Sequence, residues 1–388
     1  MIVPQKVLIS AGEASGDLYA AGLVEALLRR HPTLQFFGCA GPRMRRAGVR
    51  AVVDAASLSV VGLLEVVTHI PRIHREYRKL IRAAETERPD LAILTDSPDF
   101  HLRLARHLKR LGIPVIYLVA PQVWAWRKGR LPAMKQNIDQ LLCIFPFEPD
   151  FFTPHGIDAR YIGHPLTRLL KPSASRDELR RRYGIPGGAP MIALLPGSRK
   201  GEIDRHLPVL IDAVKVMQKA SQRLAPRFIL ALPSGDLLGS NFKERISQAS
   251  IQVLDGQTWD VLACADLALA ASGTVTVEAT LAGAPMVTFY RVNNLSWLMG
   301  KFLVRVPFYS MVNLVAGRRI VPELIQNDLT PARLAGEALA LLANESARES
   351  MRGELLLVAR KLAQSQDDPL EVAARLVEKH LKEEMVHA

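Results

Sequence analysis

Short apolar runs of about five residues recur along the first half of the chain, at 6–10, 34–38, 91–95 (LAILT), 115–119 (VIYLV) and 141–145 (LLCIF). Their continuous apolar character predicts strands covered on both faces. Helical patterns lie between them at 17–31, 69–88 and 100–111. This strand–helix alternation predicts a doubly wound parallel sheet. Around 165–190 the texture changes to Pro, Gly and Arg, which places a linker at 171–190. A second series follows at 191–195 (MIALL), 228–232 (FILAL), 251–254, 266–270 and 286–290, and from about 331 the pattern is helical with a Pro break near 369. The expected fold is α/β. Two Rossmann-like domains, 1–170 and 191–350, face a central cleft, and C-terminal helices over 351–388 are free to pack back on the N-terminal domain. Ligands in such sheets bind beyond the carboxyl ends of the strands.

A chain of 388 residues exceeds one ordinary core, and 49% hydrophobic with 23% charged residues describes a normal folding polypeptide. Cys39, Cys143 and Cys264 stand far apart with no CxxC pair, which suits a reducing cytoplasm better than a disulfide framework. The first strand begins at Lys6, leaving no room for a signal peptide, and no apolar run approaches the ~20 residues of a membrane span. Charge changes the picture more. Of the net charge of +12, residues 1–185 carry +11 and the rest +1. The basic half attracts nucleic acid, anionic lipid or a phosphorylated substrate, and the count alone does not choose among them.

Four strand-following loops can carry chemistry. In Ala11-Gly12-Glu13-Ala14-Ser15-Gly16-Asp17, Gly12 and Gly16 permit a tight turn while Ser15 or Asp17 can cap the helix. This is not GxGxxG, which counts against a dinucleotide enzyme. Asp96 and Asp99 follow the strand 91–95, where one can cap the next helix and the other accept a proton; Asp99 is expected to be the base. Pro196-Gly197-Ser198-Arg199 opens a helix, so its amides and Arg199 suit an anion. Ser272-Gly273-Thr274 is a second phosphate cradle, with Glu278 one helical turn on and in reach of a ribose. Weaker signals are Trp124 to Arg127, which reads as a cleft wall or as packing between domains, and the loop 310–318 with Asn313 and Arg318. No Asp-x-Asp and no HExxH occurs, so no metal and no cofactor is expected, and the leaving group falls to Arg and helix N-termini. Finally, residues 58–70 are dense in aliphatics (Val60, Leu63, Leu64, Val66, Val67) and run into Arg72, Arg75, Arg78, Lys79 and Arg82. An apolar patch beside a cationic run suits a helix lying in the headgroup layer, or a core segment followed by a solvated helix.

Ala-Gly-Glu-Ala-Ser-Gly-Asp (11–17), Ala-Gly-Pro-Arg-Met (40–44), Ser-Pro-Asp-Phe (97–100), Val-Trp-Ala-Trp-Arg (123–127), Phe-Pro-Phe-Glu (145–148), Leu-Pro-Gly-Ser-Arg (195–199), Ala-Ser-Gly-Thr (271–274) and Asn-Leu-Val-Ala-Gly-Arg (313–318) together resemble lipid-A-disaccharide synthases, in family order from residue 7 to about 326. Ser97 and Gln122 are small departures beside these motifs. The resemblance implies a GT-B inverting glycosyltransferase. It would join UDP-2,3-diacylglucosamine to 2,3-diacylglucosamine 1-phosphate, giving a β(1→6) disaccharide 1-phosphate and UDP, on the cytoplasmic face of the inner membrane. It further implies that the first domain holds the acceptor (Gly12, Glu13, Ser15, Gly16, Asp96, Trp124, Arg127), with Asp99 as base. The second holds UDP through Ser198, Arg199, Ser272, Gly273, Thr274, Glu278, Asn313 and Arg318. Partners would be the two sugars and an anionic membrane surface, with no nucleic acid, in a monomer or homodimer.

Two rivals remain. A UDP-sugar 2-epimerase shares fold and nucleotide loop but needs no second sugar. A non-catalytic basic protein bound to membrane or nucleic acid would explain the charge but not the paired phosphate loops.

Overall fold

The computed structural model describes residues 5–58, 63–221, 225–293, 297, 306–363 and 367–387, with the backbone alone for 63–70 and 382–387. The chain forms two compact units. One comprises Met1–Pro165 with Leu362–Ala388, the other Leu166–Lys361.

The first unit is a seven-stranded, wholly parallel sheet in the order β3-β2-β1-β4-β5-β6-β7. Its strands are β1 (Lys6–Ala11), β2 (Gln35–Ala40), β3 (Arg50–Asp54), β4 (Leu91–Thr95), β5 (Val115–Leu118), β6 (Gln140–Cys143) and β7 (Ala159–Tyr161). The order reverses between β1 and β4, which pair from Val7–Leu91 to Ala11–Thr95. Such a reversal leaves a crevice at the carboxyl ends of the two strands, because their connections depart to opposite sides. The loop Gly12-Glu13, with the start of the helix Ala14–Arg30, and the turn 96–97 both open there. The helix Pro369–His387 belongs to this unit and lies against the helix Ala14–Arg30, where Arg30 and His31 bond to Glu378.

The second unit repeats the plan with six parallel strands, β10-β9-β8-β11-β12-β13. They are β8 (Met191–Leu195), β9 (Arg227–Leu232), β10 (Ile251–Asp255), β11 (Leu267–Ala271), β12 (Met286–Tyr290) and β13 (Glu323–Ile325). Alternation along β8 sends Ile192 and Leu194 to one core and Met191, Ala193 and Leu195 to the other. Each fully buried aliphatic of this kind contributes about 1.5–3 kcal/mol. Here the order reverses between β8 and β11, so the turns 196–199 and 272–274 stand side by side.

The stretch 171–190, expected to be a linker, is part of this second unit. It carries the helix Arg176–Arg182, with Leu179, Tyr183 and Ile185 in the core. Arg176 and Arg180 are spent on Asp266 and on the carbonyls of Ala265, Cys264 and Ala189. Those bonds explain why a string of arginines folds. Residues 351–361 likewise stay with the second unit, and the chain rejoins the first at Leu362. No helix among the described residues is long and apolar enough to cross a membrane.

Candidate active-site turns

Asp96 and Ser97 both adopt left-handed backbone angles, φ 55° and 38°, which L-residues occupy at a cost. Two donors hold them there. The Tyr117 hydroxyl and His101 Nδ1 (2.9 Å) both donate to the Asp96 carbonyl, filling its two lone pairs. Burial pushes the His101 imidazole down to about 4, so the ring is neutral. With its proton on Nδ1, Nε2 accepts from the Ser10 hydroxyl at 2.7 Å.

This strained turn directs the Asp96 carboxylate at the loop after β1. Oδ1 accepts from the Gly12 amide at 2.9 Å and Oδ2 from the Glu13 amide at 3.0 Å. A Cβ at Gly16 would collide with Oδ2 and one at Gly12 with Ser97 Oγ, so both glycines are required by the approach of the turn. Burial raises the Asp96 carboxyl to about 8, the charge of Glu13 adds to the rise, and the amides and the Ser97 hydroxyl oppose it. A carboxylate with its pKa near neutrality suits proton transfer.

Asp99, three residues on, is arranged differently. Its side chain is 70% exposed, and both oxygens are held by Arg127 Nη1 (2.9 and 3.0 Å), with Arg130 on Oδ1. Its partners are two cations, whereas those of Asp96 are neutral amides. Neither aspartate caps the helix Pro98–Arg110, whose N-cap is Ser97 without a side-chain bond. The loop after β1 also departs from expectation. The helix begins at Ala14, so Ser15 and Asp17 lie within it, and Asp17 instead accepts from the amides of Arg43 and Met44 at the start of the helix Pro42–Arg46.

The Trp loop is anchored by the last residue of the Phe-Pro-Phe-Glu motif, a residue outside the expected site. Buried Glu148 accepts from Trp124 Nε1 (3.2 Å) and from the amides of Ile144 (3.2 Å) and Phe145 (3.1 Å), and burial raises its carboxyl to about 8. Trp124 also meets the edge of Phe147.

In the second unit Arg199 is the N-cap of the helix Lys200–Ala220, half-exposed, with Nη1 3.6 Å from Glu202. Glu202 accepts from the Ser198 amide at 3.1 Å and from the Tyr290 hydroxyl at 3.1 Å. The anion cradle expected at this turn therefore already holds a carboxylate. Buried His206 fastens the turn to the end of β12: Nδ1 bonds the Pro196 carbonyl at 2.6 Å, and Nε2 accepts from the Arg291 amide at 3.0 Å. After β11, the Ser272 hydroxyl donates to the Tyr309 carbonyl at 2.7 Å, while Gly273 and Thr274 stand exposed at the start of the helix Thr274–Leu281. Glu278, half-buried, accepts from Trp259 Nε1 at 3.1 Å.

Two expected nucleoside contacts have other work. Asn313 is fully buried. Its amide donates to the Val321 carbonyl (3.0 Å) and to Glu323 (2.8 Å), and its oxygen accepts from the amides of Ile320 (2.8 Å) and Val321 (3.0 Å). All four hydrogen-bonding positions of an asparagine are thus filled, and it acts as a structural residue. Arg318 is paired with Glu354.

Val60, and on the basic helix Leu63–Glu87 the side chains of Leu63, Leu64, Val66 and Val67, lie outside the described residues. Arg72, Arg78 and Arg82 are exposed. Arg75 and Lys79, also exposed, bond to buried Glu76 at 3.3 and 3.1 Å, so part of the cationic run is neutralised internally. Among the described residues no group of three or more His, Cys, Asp or Glu is placed to hold a metal.

The family model described as lipid-A-disaccharide synthetase matches residues 7–377. The chain is 56% identical over 359 residues to the lipid-A-disaccharide synthase of Solibacter usitatus (strain Ellin6076), covering 92% of this chain and 93% of that protein. To the enzyme of Syntrophus aciditrophicus (strain SB) it is 41% identical over 360 residues, with the same coverage. Among solved structures it is similar to a UDP-GlcNAc 2-epimerase from Neisseria meningitidis bound to UDP-GlcNAc, at 12% identity and TM-score 0.63, covering 98% of this chain and all of that one. It is also similar to Acinetobacter baumannii MurG, at 15% and 0.55, covering 97% and 100%. At such identities these structures speak for the GT-B fold alone, whereas the family match and the close relatives reach further: the chain belongs to the lipid-A-disaccharide synthase family, glycosyltransferases of lipid A biosynthesis.

Proposed function

We propose that the chain condenses UDP-2,3-diacylglucosamine with 2,3-diacylglucosamine 1-phosphate by inverting displacement, and that Asp96, rather than Asp99, is the base. The observation that carries this reading is the Asp96 carboxyl: buried, raised to about 8, and aimed by the loop after β1. The acceptor 6-hydroxyl gives its proton to Asp96 as its oxygen bonds the anomeric carbon. The bond from that carbon to the UDP phosphate breaks on the opposite side, and UDP leaves with the electron pair. Arg199 and the amides of Gly273 and Thr274 take up the charge that develops on the leaving diphosphate, the Ser272 amide being held by the Phe289 carbonyl. The exposed Arg72, Arg78 and Arg82 face anionic lipid, which keeps the enzyme peripheral on the cytoplasmic side of the inner membrane, where both acylated sugars reside.

The decisive experiment measures UDP release with and without the acylated sugar 1-phosphate. Release that depends on that acceptor, with formation of a disaccharide, is the expected result. Consumption of the UDP-sugar without any acceptor would make the chain an epimerase of the same fold and end this reading.

A further inference from the structure

Arg127 and Arg130 converge on one exposed carboxylate, Asp99, and share a single aromatic floor. The Arg127 guanidinium lies 4.2 Å and that of Arg130 5.9 Å from the Trp126 ring centroid. Two cations against one anion leave positive charge uncompensated, and Arg103 stands close enough to Arg130 to add repulsion. Arg130 is only 17% exposed, so water does little to relieve that excess. Asp99, 70% exposed, spreads the two guanidiniums without neutralising them, and an exposed pair of this kind contributes little to folding. Both guanidiniums lie within cation–π distance of Trp126, and their planar forks suit an oxyanion with three oxygens. Arg127 also keeps a left-handed backbone, φ 60°, at the head of this group.

We propose that Arg127 and Arg130, on the Trp126 floor, bind the phosphate monoester on the anomeric carbon of the acceptor sugar. This rests on the glycosyltransfer reading above and assigns the acceptor's anionic end. Its place in the fold selects the acceptor over the donor. Asp99 lies three residues beyond Asp96 on the same turn, and both the Asp99 carboxylate and the Arg130 guanidinium act electrostatically on the Tyr117 hydroxyl that donates to Asp96. The cation pair and the base therefore flank one residue. An acceptor with its nucleophile on C6 and its phosphate on C1 presents the two groups on either side of the ring oxygen of one sugar.

Two measurements test this. Glucosamine 1-phosphate is titrated into the full-length protein while Trp fluorescence is followed, in wild type and in the Arg127→Met/Arg130→Met double variant. Saturable binding in wild type, weakened tenfold or more in the variant, supports the site; equal binding in both overturns it. In the second measurement, kcat/KM is compared for the acceptor 1-phosphate and the same acceptor lacking phosphate. Wild type should prefer the phosphate at least tenfold, and the preference should collapse toward unity in the double variant. A preference that survives, or one absent from wild type, overturns the proposal. Should wild type release no UDP with either acceptor, the glycosyltransfer reading fails, while the titration still decides the phosphate site. If the double variant does not fold, Arg127→Met alone, at the more exposed position, carries both measurements.

Discussion

The turn after β4 and the turn after β8 each lie beside the point where their sheet reverses order, on opposite sides of it, since β8 matches β1 and β11 matches β4. Each also holds a carboxylate of nearly equal exposure, Asp96 at 11% and Glu202 at 12% of the side chain. The difference lies in their partners. Asp96 takes its amides from a loop more than eighty residues earlier, and the neighbouring charge is the anion Glu13. Glu202 takes its amide from Ser198, four residues away, and has the cation Arg199 beside it. Burial without a cation makes a carboxylate that readily exchanges a proton. Glu202 instead sits beside a cation, at the turn expected to bind an anion. On the proposed reading, one plan serves a proton acceptor in the first unit and a diphosphate cradle in the second.

Removing each member should expose this asymmetry. Asp96→Ala is expected to lower turnover by ~10²–10⁴ while UDP affinity stays within about twofold, because general-base assistance is lost and the nucleotide turn is untouched. Asp99→Ala should raise the acceptor KM more than it lowers kcat. If Asp99→Ala lowers turnover as much as Asp96→Ala does, the assignment of the base falls. In wild type the base must be deprotonated, so kcat/KM for the acceptor should climb with pH through about 8 and level off above it. The linkage to stability has the opposite sense. The folded-state pKa lies above the ordinary 3.8, so the folded chain holds the extra proton. The associated stability is present at low pH and lost as pH rises through about 8. Asp96→Asn should flatten that decline in a pH series of thermal midpoints, after the parallel contribution of Glu148 is allowed for.

Arg199→Ala comes next. Loss of a charge-assisted bond worth about 1.5–3 kcal/mol should weaken UDP binding and turnover together, each by ~10–100-fold. Calorimetric titration with UDP beside initial rates checks this, and a fall in turnover at unchanged affinity would remove Arg199 from the ground-state cradle. Tyr117→Phe is milder. It leaves the Asp96 carbonyl with one donor, His101, and relaxes the left-handed turn. We expect kcat to fall several-fold at unchanged KM, with a displaced midpoint in the pH–rate profile. A profile that keeps its midpoint would reduce Tyr117 to a packing role.

Much of this architecture is legible in the sequence because central strands are buried on both faces. The runs 91–95, 191–195 and 286–290 coincide with β4, β8 and β12. The strands that escape notice are β3, β7 and β13, all at sheet edges. There a short or half-exposed segment such as Arg50–Asp54 needs no apolar run. The helix 176–182 escapes because its order comes from Arg176 and Arg180 reaching Asp266, a contact ninety residues away. At the site, motif spacing locates the two aspartates but cannot tell which is buried. That depends on two consecutive left-handed residues, which turn Asp96 back under Gly12 and leave Asp99 outward. His101, Tyr117, Glu202 and Glu323 form no motif, and Tyr117 is signalled only as a polar atom within the apolar run VIYLV. Glu148 closes the Phe-Pro-Phe-Glu motif, but the motif does not tell that it anchors Trp124. Asn313 errs in the other direction: it reads as a free loop amide, and its saturation by Val321, Glu323 and Ile320 appears only once β13 is in place.

The smallest expected effect probes the comparison most finely. Glu202 occupies the Ser198 amide that a diphosphate would use, and it brings a negative charge to the place where the nucleotide brings more. Glu202→Gln removes the charge and keeps a carbonyl oxygen able to accept from Ser198 or from the Tyr290 hydroxyl. Repulsion falls while the turn is retained, so UDP should bind a few-fold tighter. The gain should shrink as salt is added, since it comes from one half-screened charge. The same isosteric change at Asp96 should leave UDP affinity alone and remove activity. Two nearly identical edits beside the two reversal points would then give opposite results, one a gain in nucleotide binding and the other a loss of chemistry. If Glu202→Gln instead weakens UDP several-fold, Glu202 is holding Arg199 and Ser198 in place for the diphosphate rather than competing with it. The second-unit turn would then be a preorganised cradle whose carboxylate is part of the frame.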